Sequence, residues 1–124
     1  MQIFIAIGAF FCFLGVVAGA LGAHALQDWI IRMGGSNNFD LATTYMFYHG
    51  LGLIAVGVLM GQRSSSGLKI AGWAFTAGSL LFQGNLFLIA IGGIRTFQAL
   101  TPAGGILLMA GWVALAAAAL KIRT

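Results

Sequence analysis

Few side chains in this sequence could do chemistry: two histidines, His24 and His49, the phenols Tyr45 and Tyr48, the amides Gln83 and Asn85, and one thiol, Cys12. A metal site takes three or four ligands. The two histidines lie in different apolar runs, and Cys12 precedes His24 by a dozen residues, about 18 Å along a helix. A Cys–His nucleophile pair fails on the same distance. No glycine-rich phosphate loop follows a strand. The proton-coupled mechanism of small four-helix drug exporters needs a carboxylate within the membrane. Both acids here, Asp28 and Asp40, lie outside the uncharged runs. The residues therefore point to no catalytic group, metal or cofactor, and an enzyme is not expected.

The elements that carry these residues are set out by the charges. The chain has 124 residues, enough for one domain over 1–124, with 60% hydrophobic and only 6% charged residues. A soluble domain carries roughly 25% charged residues, so this chain cannot cover a water-facing surface. Four uncharged runs, 1–27, 41–62, 70–94 and 96–120, each reach the length of about 20 apolar residues that spans a ~30 Å hydrocarbon core. Helices satisfy their backbone polar groups internally, and the period-2 alternation of a β-barrel is missing. The predicted fold is an all-α membrane protein, a compact antiparallel bundle of four transmembrane helices at about 3–26, 41–61, 70–94 and 102–120 with short loops. The first run reads as a span rather than a cleaved signal peptide: Met1-Gln2-Ile3 supplies no basic residue, and the run exceeds an h-region in length. Asp40 is the expected N-cap of the second helix, Arg63–Gly67 a tight hairpin, and Thr101 the N-cap of the fourth helix with Pro102 at its first position.

The net charge of +4 does not mark a nucleic-acid binder, because the basic residues lie singly or in loose pairs at the ends of apolar runs. They suit lipid headgroups and topology control. Arg63, Lys69, Lys121 and Arg123 share one side, against Arg32 and Arg95 on the other. The positive-inside rule then puts both termini in the cytoplasm of a multi-pass protein of the bacterial inner (plasma) membrane.

Inside a bilayer, helices are held by close backbone approach and polar bridges, since lipid is as apolar as leucine. Gly8, Gly15, Gly19 and Gly22 fall within a narrow arc of the first helix at about 100° per residue. Ala71, Gly78, Asn85 and Gly92 recur every seven residues in the third, and Gly104 and Gly111 share a face of the fourth. Packing is the plain reading of these seams. Trp29 and Trp73 read as interface anchors, and Trp112 as a deeper core or lipid-facing residue.

His49 lies about 13 Å in from Asp40, and Asn85 about 15 Å in from Arg95 on the same side, so the two could meet. Tyr45 is one turn from His49, and His24 is near the same membrane surface. One reading is a hydrated pocket, open to the non-cytoplasmic side, that binds a ligand or relays protons through His49. The other is a helix clamp, with His49 and Asn85 bridging the second and third helices. The clamp is favoured because buried polar groups mostly satisfy one another.

Four segments, Gly19-Ala-Leu-Gly-Ala-His-Ala-Leu26, Tyr45-Met-Phe-Tyr-His-Gly-Leu51, Phe82-Gln-Gly-Asn-Leu-Phe87 and Thr101-Pro-Ala-Gly-Gly105 followed by Gly111-Trp112, occur in this order. They resemble the family known as domain of unknown function 423, whose eukaryotic members are called transmembrane protein 256. Met46 stands where a Gln is common, Gln83 and Asn85 where serines are common, and Gly50 where an Ala is usual. The resemblance implies a small multi-pass membrane protein and carries over His24, Tyr48 and His49 as motif residues without roles. Three functions are then weighed. An accessory protein, self-associating or docked on a larger membrane complex and bathed in lipid, accounts for the glycine faces and minimal loops. A small channel or transporter would use the His49 and Asn85 region. An enzyme acting on lipid or quinone would need an acid–base pair that is missing.

Overall fold

The computed structural model describes residues 2–122; the Arg123 of the charge count and Met1 lie outside them. The described residues form helices joined by short turns: α1 (Gln2–Ala23), α2 (Gln27–Arg32), α3 (Ser36–Gln62), α4 (Ser66–Gly92) and α5 (Leu100–Ile122). All but α2 are long and apolar enough to cross a membrane. In space α3 and α4 pack at the centre, α1 lies against α3, and α5 lies against α4.

Glycines set these contacts by letting backbones meet. A Cβ on Gly8 would strike the Gly50 carbonyl oxygen of α3, and one on Gly78 would come 3.0 Å from the Gly104 carbonyl oxygen of α5. Gly15 and Gly22 receive the rings of Phe47 and Phe39. Two glycines assigned to the seams do not belong there. Gly19 faces open space, because only Gly8, Gly15 and Gly22 keep the strict seven-residue line along α3. Gly92 meets only Ile94 of its own chain, at the point where α4 ends. Fully buried Phe4, Leu53, Val56, Leu68 and Phe75 fill the centre.

Several boundaries differ from the sequence expectation. α3 begins at Ser36, so Asp40 is already a full turn inside the helix, and Gly35 holds the N-cap position without a side-chain bond. The polar stretch can wind because a helix may extend past the hydrocarbon into the headgroups, and Gly34 (φ 68°) has already made the turn. α5 likewise starts at Leu100, one residue before the expected cap; the Thr101 hydroxyl is buried without a partner among the described residues. α4 is capped at its start by Ser65, whose Oγ accepts from the Leu68 N–H at 3.2 Å. It ends on Gly93 in the left-handed region (φ 64°).

The short helix α2 lies across the end of the bundle. Trp29 donates its indole N–H to the Ile91 carbonyl at 2.7 Å, satisfying one of the last acceptors of α4. Gly35 abuts the Ala90 backbone beside it. The Trp29 side chain is thus a tether between helices as well as a half-exposed aromatic.

Candidate functional site

The polar residues of the spans gather where α3, α4 and α5 meet. The Tyr45 carbonyl is the acceptor at the centre. It takes a hydrogen bond from His49 Nδ1 at 2.8 Å, one turn along α3, and another from Gln83 Nε2 of α4 at 3.2 Å. A carbonyl can only accept, so the proton of His49 sits on Nδ1. That leaves Nε2 with a lone pair, which accepts the indole N–H of Trp112 on α5 at 3.0 Å. The geometry selects one neutral tautomer and occupies both ring nitrogens. Three helices are joined through three side chains and one carbonyl.

Aromatic packing locks the arrangement. The Phe75 ring lies 4.7 Å from Trp112 and 5.6 Å from His49, edge to face with both. Gly52 and Gly111 make room for it: a Cβ on Gly111 would come 2.6 Å from Phe75. His49 is 3% exposed and Gln83 fully buried, so each lost hydrogen bond here would strand a polar atom away from water. Gln83 Oε1 and the neighbouring Ser79 Oγ have no partner among the described residues.

This differs from the bridge read in the sequence. Asn85 does not join His49; its Nδ2 bonds the Leu81 carbonyl of its own helix at 2.6 Å. Gln83 makes the cross-helix bond, because Gln83 and Asn85 lie about 200° apart on α4 and only one of them can face α3. His24 is exposed in the turn after α1 and takes no part. Tyr48 is half exposed on the outer side of α3, its ring 5.8 Å from that of Tyr45. Trp112, assigned to core or lipid, is the residue that the sequence reading missed. The signal was an aromatic N–H donor at mid-helix in the same chain as a mid-helix histidine.

Beside this hub runs a groove of about 600 Å³ between α3 and α5, lined by Tyr45, Tyr48, His49, Phe82, Met109 and Trp112 among others. The Tyr45 and Phe82 rings stack at 5.1 Å in its wall. Gly105 leaves its side open, whereas the adjacent Gly104 brings the two backbones of α4 and α5 together. Among the described residues no three His, Cys, Asp or Glu side chains cluster.

Comparison with known proteins agrees with the resemblance carried by these segments. The family described as "Protein of unknown function (DUF423)" matches residues 18–105, which include the Tyr45–His49 and Gln83 parts of the hub but stop short of Trp112. A UPF0382 membrane protein of Staphylococcus epidermidis is 40% identical over 121 residues, 98% of each chain. One of Staphylococcus saprophyticus is 38% identical over 98% of this chain and all of its own. No solved structure matches the chain.

Proposed function

The chain belongs to the DUF423 family of membrane proteins, and from that premise we propose that it is a non-enzymatic accessory component that works by self-association within the bilayer. One observation carries the reading. On α5, Ala103, Ile106, Ala110, Val113, Ala117 and Leu120 alternate at spacings of three and four, and all six are exposed. That is a heptad pattern with alanine at one seam position and a branched aliphatic at the other, the geometry by which two helices interlock closely. The seam points away from α4, which is met by Gly104, Leu108, Gly111 and Ala118, and borders the groove only at Met109. It complements itself, so a second copy fits it. The closed hydrogen bonding of His49 favours this reading over a channel or transporter that relays protons through that ring.

The same reading puts the protein in the bacterial plasma membrane with both termini cytoplasmic. Arg63 and Lys121 border one crevice at the end of the bundle that this orientation turns to the cytoplasm.

Cysteine cross-linking in native membranes tests the proposal. In a Cys12→Ala background, Ala110→Cys should give an oxidised dimer, since Ala110 lies near the middle of α5 and meets its counterpart in either helix orientation. Phe13→Cys, on the exposed face of α1, should not. Equal yields from the two positions, or a strictly monomeric mass in mild detergent, would overturn self-association. A mass increment from a different protein would replace the second copy with a larger complex.

A further inference from the structure

Three of the segments through which the chain resembles its family converge on the α3/α5 groove, and the hydrogen-bonded hub uses only part of what they bring there. Tyr48, Phe82 and Gly105 contribute to the groove but make no bond in the hub. We propose that the groove is a binding site for a flat, ring-bearing molecule dissolved in the bilayer and carrying hydrogen-bond acceptors, the chemistry of a lipid-soluble quinone. The inference does not rest on self-association: on α5 the groove is lined by Gly105, Leu108 and Trp112 as well as Met109, and only Met109 borders the heptad seam.

The groove has the size of a small-molecule site. It opens between Tyr48, Leu51, Met109 and Trp112, all of them exposed on the face turned to lipid. Its wall is the stacked Tyr45–Phe82 pair, a surface that favours a planar partner at ring-stacking distance. Gly105 maintains the slot: a Cβ there would already be 3.6 Å from Phe82, so a larger side chain would occupy the space a ring would take.

The polar groups select among occupants. Neither phenol hydroxyl of Tyr45 or Tyr48 has a hydrogen-bond partner among the described residues. Tyr48 is eight residues past Asp40 on α3, about 12 Å into the span. At that depth there is little water to serve as acceptor, and an unpaired hydroxyl is costly. A saturated acyl chain offers no acceptor, and a charged headgroup does not reach this depth. Ring carbonyls on a hydrophobic molecule meet both conditions. His49 cannot supply a further donor, since its Nδ1–H and Nε2 are both engaged.

The test uses fluorescence quenching by a short-tailed benzoquinone on the purified protein in nanodiscs. Trp29→Phe and Trp73→Phe together leave Trp112, at the mouth of the groove, as the sole tryptophan. The expected result is saturable quenching that Tyr45→Phe/Tyr48→Phe weakens at least tenfold and Gly105→Leu abolishes. The double phenylalanine variant keeps both rings, so its loss reads the hydroxyls alone. Retention of the quinone by the unchanged chain in native mass spectrometry provides the same answer without any tryptophan substitution. Quenching that rises linearly with quinone and is equal in all variants would overturn the site. Equal competition by an isoprenoid hydrocarbon lacking the ring would overturn the ligand class.

Discussion

Gly104 and Gly105 are neighbours with opposite duties, and alanine at each gives a sharp contrast. A Cβ on Gly104 would come 2.6 Å from the Phe82 backbone nitrogen and 2.9 Å from both the Gly78 carbonyl oxygen and the Leu81 carbonyl carbon. All three are backbone atoms of α4 and cannot rotate aside. Ordinary contact needs about 3.5–4.0 Å, so α4 and α5 must part by roughly 1 Å, enough to forfeit a quarter to a half of the dispersion energy across the seam. Overpacking of this kind costs about 1–3 kcal/mol. Alanine recovers about 0.5–1 kcal/mol through its better helix propensity. The net loss for Gly104→Ala is then about 0–2.5 kcal/mol. At Gly105 the added Cβ would be 3.6 Å from the Phe82 ring, ordinary contact, so only the propensity gain of about 0.5–1 kcal/mol applies. Reversible unfolding in mixed micelles or bicelles, followed by circular dichroism, should rank the proteins Gly105→Ala, unchanged chain, Gly104→Ala in falling stability. If the two alanine variants are equally stable, the close α4–α5 backbone contact is wrong.

Trp112→Phe keeps a ring beside Phe75 but leaves the buried His49 Nε2 without its donor, and should cost about 1–3 kcal/mol in the same unfolding assay. His49→Leu in that background should add less than it does alone, because the two side chains share one bond. Gln83→Leu, which cuts the bond to the Tyr45 carbonyl, should lower stability more than Asn85→Leu, whose bond stays within α4; the reverse order in unfolding would reinstate Asn85 as the bridge. Gly93→Ala should destabilise by about 1–2 kcal/mol through its positive φ, whereas Gly19→Ala, facing open space, should be neutral or slightly stabilising by the same measurement.

The spans were legible because a chain without charged residues for more than 20 positions has one stable home. Their ends were not, because a transmembrane helix stops where turn geometry allows rather than where the hydrocarbon does. Asp40 lies inside α3 for that reason, and Gly34 and Gly93, the two at positive φ among the described residues, mark the real corners. The six-residue α2 was visible only as an amphipathic stretch, since its helix is secured from outside by the Trp29 bond to α4. In the site, polarity inside an apolar run singled out Tyr45, His49 and Gln83. Depth along the helix suggested Asn85 as the partner of His49, but depth says nothing of azimuth, and azimuth decides the pairing. Trp112 escaped because tryptophan is read as an apolar ring, while its single N–H is what the histidine needs.

The central claim is that the polar centre of the bundle fastens three helices together rather than passing anything between them. The ring nitrogens of His49, observed by ¹⁵N NMR in the intact protein in bicelles, test it most directly. The account predicts a single neutral form with the proton on Nδ1, and a through-hydrogen-bond coupling from the Trp112 indole nitrogen to Nε2. A mixture of tautomers, or Nε2 bearing the proton with no coupling to Trp112, would contradict it.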